Sequence, residues 1–243
     1  PAVKILVDRE KERSDFVQNE YWSINAVFIS DNKPFDAILK NIDSKQIASG
    51  GSFNKKTGNL IRTNSILLDQ DKTKELKTIL MQSNWSVKSL EKKPKTQNPY
   101  PPFITSTLQQ EGIRKLHLNS QQVMSVAQKL YENGFITYMR TDSINLSNEA
   151  LKAAKNAIKS NYGEKYLPSK YNYFKNKVKN SQEAHEAIRP SGSKFINPDN
   201  LKSKLNDLEW KLYNLIWKRT VSSQMKPAKI ETTVVQISDG KFI

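Results

Sequence analysis

The chain has 243 residues and carries 39 lysines and arginines against 24 acidic residues, a formal net charge of +15 with a pI near 9.7. A chain of this size can bury roughly 70% of its unfolded surface, and 37% hydrophobic residues with 10 prolines and 8 glycines exclude collagen and disorder throughout. The absence of cysteine and the presence of only two histidines remove disulfides, thiolate nucleophiles and cysteine- or histidine-built metal cages, while the basic balance asks for a polyanionic partner.

No apolar run approaches the roughly 18 residues of a membrane span, so a soluble chain is expected. The absence of an initiator methionine and an ending just after Gly240 suggest a piece of a longer protein. Residues 1–16 place Ala2 and Leu6 among charges at helical spacing and read as a short connecting helix, assigned with its exit to 1–20. From Tyr21 the pattern alternates, with Trp22, Ile24, Ala26 and Phe28 on one face. Further extended pieces are expected at Lys33–Ile38, Asn59–Ile61 and Trp85–Leu90. Asp69, Asp71 and Glu75 lie close together in LLDQDKTKEL but fit the acidic first turn of a helix better than an octahedral magnesium site.

EKKPKTQNPYPPF, residues 91–103, holds four prolines and reads as a connection. A helical block follows. Ser106 and Gln109 fit a capping box, and Ser120 fits a cap for a helix with Val123, Ala127 and Leu130 inward and Gly134 as its stop. A third helix spans about Asn148–Ser160, with Leu151, Ala154 and Ile158 inward and Gly163 beyond it. Leu201, Leu205, Leu208, Leu212, Leu215 and Ile216 describe one long or two consecutive amphipathic helices. KIETTVVQISDGKFI then returns to β-branched alternation and an Asp239-Gly240 turn. The expected fold is therefore α+β and multidomain. A β-rich domain at 21–96 and 226–243 is interrupted by an inserted, mainly helical domain at 97–225, and the two crossings would form a hinge pair.

GFITYMRTDSINLS, residues 134–147, is the most informative segment. Tyr138 and Arg140 are two apart, so an extended backbone presents them on one face. A guanidinium beside a phenol favours the phenolate and neutralises phosphoryl oxygens, a pairing suited to phosphoryl transfer. In-line attack by Tyr138 on a phosphodiester would give a phosphotyrosine ester that the released strand end can reverse without ATP. Asp142 and Ser143 could order Arg140 and the loop, and Thr137 could bond a neighbouring phosphate. On residues alone the plainer alternative stays open: Tyr138 as a strand-end core residue, Arg140 as a surface charge and Asp142 as a turn or cap.

SQEAHEAIRPS, residues 181–191, reads as a turn or two of helix in which His185 and Arg189 share a face. It is either a phosphate-contacting pair or a cap with a surface histidine. Paired acid–base work by Glu183 and Glu186 gets little support. Residues 151–180 hold eight lysines against one glutamate, a net of +7, interleaved with Tyr162, Tyr166, Tyr171, Tyr173 and Phe174. That mix suits a single strand, or else a solvated basic face with its rings turned inward. Tyr100, set among prolines in NPYPPF, reads as connector.

GFITYMRTDS, preceded by PPFITSTLQQEGIRKL and followed by QEAHEAIRPS, closely resembles the type IA DNA topoisomerases in order and spacing over about residues 99–191, with looser likeness at PAVKILVDREKE and Trp22–Ile24. Met139 in TYMRTDS is similar to the bacterial topoisomerase I branch rather than the topoisomerase III branch. The resemblance implies an enzyme that relaxes negatively supercoiled DNA by transient single-strand cleavage, strand passage and religation. Tyr138 would take the 5′ phosphate, with Arg140 beside the scissile phosphate and Thr137, Asp142, Ser143, His185 and Arg189 near the bound strand. It implies a helical gate carried on a β-rich arch, chiefly single-stranded DNA as partner, a monomer, no membrane, and a cytoplasmic location at the bacterial nucleoid. Magnesium would belong to a Toprim domain absent from this sequence, so no metal ligand is expected here and little relaxation by this chain alone. A non-catalytic single-stranded DNA-binding module using the basic face is the competing expectation.

Overall fold

A computed structural model describes residues 2–62, 64–175 and 185–243. The chain divides into two compact units, Pro1–Lys93 with Glu231–Ile243, and Pro94–Ile230. The expected segment 91–103 is not all connection: residues up to Gln97 are strand. Pro94 is tolerated there because a two-stranded ribbon leaves each strand an unpaired edge where a missing N–H costs nothing.

In the first, β-rich unit, α1 (Ala2–Ser14) buries none of its residues. β1 (Asn25–Ser30) and β2 (Lys33–Ile38) pair antiparallel with Phe28 opposite Phe35 and Ser30 opposite Lys33. Their two-residue turn holds Asp31 at φ 49° and Asn32 at φ 60°, the left-handed pair of a type I′ hairpin, which Asp and Asn tolerate better than other non-glycine residues. The device recurs where Asp43 (φ 47°) and Ser44 (φ 65°) join β3 (Asn41–Ile42) to β4 (Lys45–Gln46). α2 (Gln70–Gln82) starts at Asp69, whose carboxylate accepts from Lys72 N at 2.8 Å and pairs with Lys72 Nζ at 3.1 Å. β5 (Ser86–Gln97) pairs with β6 (Ala228–Ser238). Beyond β6, Asp239 Oδ1 accepts from Lys241 N and Phe242 N, closing the expected turn. The chain does not fold back as a hairpin, because Phe242 bridges to Ile42. The small core here is Ile42, Ile47, Leu68 and Phe242, fringed by Trp22, Ile24 and Trp85. Asn59–Ile61 contributes only an isolated bridge from Leu60 to Phe53.

The second unit is helical: α3 (Thr105–Leu116), α4 (Ser120–Glu132), α5 (Asn148–Tyr162) and α6 (Asp207–Ser223), with α6 packed on the other three. Two expected caps are displaced. α3 begins after Ile104, whose N–H donates to Thr107 Oγ1 rather than using a Ser106–Gln109 box. α4 is capped by Asn119 in reciprocal bonds with Gln122, leaving Ser120 as its first helical residue. α3 and α4 approach closely because Gly112 has no side chain; a Cβ there would stand 2.6 Å from Val123 Cγ2. The leucine run resolves into a short 3-10 turn at Pro198–Leu201 followed by α6. Within it Leu208 is exposed while Leu212 and Ile216 are buried. One apolar core runs through the unit, including Phe103, Leu108, Leu130, Ile158, Tyr213 and Ile216.

Candidate functional site

α4 ends at Gly134, which turns the chain at φ 75°, and an extended segment follows. From Tyr138 to Ser143 burial alternates residue by residue: Met139, Thr141 and Ser143 face inward, and Tyr138, Arg140 and Asp142 face outward. Tyr138 keeps 45% of its surface exposed, with its ring edge-on to Tyr131 at 5.2 Å between centroids. The same-face expectation for Tyr138 and Arg140 thus has a physical cause, since three inward side chains pin an extended backbone and its alternation turns the intervening three to the exposed side.

Both flanks of this segment are clamped. On one side Ile136 bridges to Pro190, Thr137 N donates to Arg189 O at 2.9 Å, and Ser191 N donates to Phe135 O at 3.0 Å. The Thr137 hydroxyl donates to Ala187 O at 2.8 Å and accepts from Arg189 N at 3.0 Å, and Ser191 Oγ donates to Gly134 O. On the other side stands Thr105, the first residue of α3. Its hydroxyl lies 2.8 Å from Met139 O and 3.0 Å from Thr141 O, so one proton serves both carbonyls. It also accepts from Thr141 N at 2.9 Å, while Thr105 N donates to Thr141 O at 2.9 Å. Backbone atoms on both sides of Tyr138 are therefore fixed by two separate elements.

The segment carrying His185 and Arg189 corrects one expectation. Residues 185–191 are extended rather than helical, because Ile188 pairs with Phe103 and Pro190 with Ile136, and a helix would forfeit both bridges. Glu183 lies outside the described residues. His185 is exposed, but Arg189 is turned inward with its side chain only 8% exposed. Arg189 Nε and Nη2 donate to the two oxygens of Glu186 at 3.0 and 2.7 Å, and Nη1 donates to Pro190 O at 2.9 Å and Gly192 O at 3.3 Å. Glu186 also accepts from Ser147 N, the N-cap of α5, at 2.6 Å. Burial pushes the Glu186 carboxyl up, but hydrogen bonds from Arg189 and Ser147 outweigh it and hold the group below the usual carboxylate range. Ser143 is also internal, its Oγ accepting from Asn145 N at 3.2 Å.

The structure thus brings Tyr138, Arg140 and Asp142 to one surface and places Thr137, Ser143 and Arg189 behind it. Thr105 is not singled out by the sequence, and Glu186 is weighed there only as half of an acid–base pair, not as the partner of Arg189. Thr105 sits inside PPFITSTL and resembles any helix-start threonine, and Glu186 resembles any exposed helical acid until its strand is known. Among the described residues no group of three or more His, Cys, Asp or Glu could hold a metal ion, and Asp69 already serves as a helix cap. These residues do not fit a magnesium site. No helix among the described residues is long and apolar enough to cross a membrane.

Comparison with known proteins gives one consistent result. A family model described as DNA topoisomerase matches residues 1–242. A protein named DNA topoisomerase 1 from Synechococcus elongatus is 44% identical over 99% of this chain and 27% of its own length. One of the same name from Streptomyces coelicolor is 44% identical over 100% of this chain and 26% of its own. The solved full-length topoisomerase I from Thermotoga maritima superposes with a TM-score of 0.67 at 33% identity, covering 98% of this chain and 35% of that one. The chain therefore spans about a quarter of the length of the curated relatives it matches.

Proposed function

Because the chain belongs to the DNA topoisomerase family, we propose that it is the part carrying the strand-cleaving nucleophile, Tyr138. The observation that carries this reading is the outward display of Tyr138 and Arg140 on a backbone clamped from two sides. Pre-positioning of this kind is what an in-line displacement needs, since catalysis of phosphoryl transfer is mostly orientation and charge stabilisation. Tyr138 Oη attacks the scissile phosphorus of a single strand. The Oη–P bond forms as the phenol gives up its proton, the bond from phosphorus to the 3′ oxygen breaks, and that oxygen leaves as a hydroxyl by gaining one proton, so the protons balance. One phosphodiester is exchanged for another, so religation reverses the step without ATP. Arg140 steadies the phosphoryl oxygens, and Asp142 and His185 lie along the strand. Thr137, Ser143 and Arg189 act from behind, as positioning residues rather than phosphate contacts.

In this reading the helical unit is the gate and the β-rich unit the arch of an enzyme that relaxes negatively supercoiled DNA in the bacterial nucleoid as a monomer. No His, Cys, Asp or Glu group among the described residues is placed to hold a metal ion, so magnesium would be held by another part of the intact enzyme. The test is Tyr138→Phe in the full-length protein, mixed with labelled single-stranded DNA and denatured. Loss of the protein-linked strand with DNA binding kept supports the nucleophile. An undiminished adduct refutes it, and wild-type protein that binds but never forms an adduct favours a non-catalytic single-strand-binding module.

A further inference from the structure

The helical unit contains a cleft of about 860 Å³ whose lining includes no residue of 134–147 or 185–191. Five cations line it, Arg114, Lys115, Lys218, Arg219 and Lys226, and only one carboxylate, Glu111. Glu111 is shared three ways: Lys115 Nζ at 2.9 Å, Arg114 Nη2 at 2.9 Å and Arg219 Nη2 at 3.8 Å. One negative charge cannot neutralise three positive ones, and Lys218 and Lys226 are both exposed with no acid beside them in the lining. The cleft is thus a concentrated positive field in a concave wall, the arrangement that attracts a polyanion.

Aromatic rings line the same cleft. Tyr100, expected to be mere connector, leaves 65% of its surface exposed, and the Arg219 guanidinium lies 5.2 Å from its ring centroid and 4.4 Å from that of buried Phe103. Arg219 is thereby held in one orientation by two rings and a carboxylate rather than waving in solvent. Tyr162 at the end of α5 and Tyr166 just beyond stand edge-to-face at 6.3 Å, both partly exposed on the cleft. Lys226 N donates to Tyr166 O at 2.9 Å, which ties the basic and aromatic walls together. Phosphate alone would need the cations but not the tyrosines. A duplex hides its base faces from the tyrosines, whereas an unpaired strand offers phosphates and bare bases together.

We propose that this cleft is a second nucleic-acid site, which holds a short single-stranded segment apart from the strand cleaved at Tyr138, with Lys218 and Lys226 on phosphates and Tyr100 and Tyr162 under bases. It goes beyond the cleavage reading and does not depend on Tyr138 being the nucleophile. The experiment measures binding of a fluorescent oligothymidylate to this chain across a salt series, and maps crosslinks from the same oligonucleotide carrying 5-iodouracil. Lys218→Ser with Lys226→Ser should lower the slope of log affinity against log salt by about 1.4, at about 0.7 for each phosphate left without its lysine. Tyr162→Ala should weaken binding at least about fivefold with the slope unchanged, and Tyr162→Phe should restore it. Crosslinks should fall on peptides bearing Tyr100, Tyr162 or Tyr166. A wild-type slope in the double variant, or crosslinks confined to residues 134–147 and 185–191, overturns the second site. Neither result touches the cleavage reading, which stands or falls on the covalent adduct of Tyr138.

Discussion

In the helical unit, buried side chains from α3, α4, α5 and α6 join into one core, and the loop bearing Tyr138 hangs from it through Met139 and Ile136. In the β-rich unit the buried cluster is four side chains, and Val27, Ile29, Val87 and Leu90 lie exposed along two-stranded ribbons. Two-stranded ribbons are marginal by themselves in water, so the two units differ in what holds them. One is stabilised by apolar burial in depth, the other by turn geometry and short backbone ladders. The residues proposed for chemistry are exposed, but the segment that carries them is anchored in the deep core by Ile136 and Met139, where a small displacement is resisted by dense packing. Tyr138 thus owes its orientation to the helical unit's own packing.

The largest way to break that contrast is Ile158→Ala. This wholly buried residue of α5 should cost the helical unit about 2–5 kcal/mol in denaturant unfolding while leaving the β-rich unit's transition in place. One shared transition shifting as a whole would show that the units are not independent. Glu186→Gln comes next. It leaves Arg189 buried beside a neutral amide, and because Glu186 is itself 28% exposed the expected loss is about 2 kcal/mol, below the range for a fully buried pair. The sign with pH follows from the depressed carboxyl. Its stabilisation is complete above the ordinary value of 4.5 and is lost as pH falls through the lower folded value. Wild type should therefore lose stability in acid that the glutamine variant has already lost; equal acid slopes would refute the pair's role.

A smaller effect is expected for Thr105→Val, which keeps volume but removes the hydroxyl that serves Met139 O, Thr141 O and Thr141 N. About 1.5 kcal/mol of stability should be lost. The rate of adduct formation should fall more than DNA affinity does, which a purely structural threonine would not produce, and Thr105→Ser should restore both. Smallest is Asn32→Gly in the β-rich unit. It suits the left-handed φ of 60° without the strain of a side chain and should shift stability by no more than about 1 kcal/mol. A change larger than that of Ile158→Ala would invert the comparison.

The sequence made the helical elements legible because their burial is periodic: Val123, Ala127 and Leu130, then Leu151, Ala154 and Ile158, are inward as the spacing implies. Caps were less legible, since Ser106, Ser120, Asn119 and Thr105 are all competent capping residues and only packing chooses among them. The type I′ turns at Asp31-Asn32 and Asp43-Ser44 carry no glycine and so lacked the usual signal. Pro94 disguised a strand as a connector. At the site, the two-residue spacing of Tyr138 and Arg140 was readable from the chain. The partners of Arg189 were not, because the extended conformation of 185–191 is imposed by Phe103 and Ile136, far away in sequence.

If the Tyr138 oxygen becomes esterified to DNA as proposed, Tyr131, whose ring lies 5.2 Å from that of Tyr138, is its natural rival. Trypsin cutting after Lys129 and Arg140 releases both tyrosines in one peptide, so fragmentation of the nucleotide-bearing peptide from the full-length protein decides between them. The nucleotide mass should fall on Tyr138 alone; the same mass on Tyr131, or on any peptide outside residues 130–140, would rule Tyr138 out as the nucleophile.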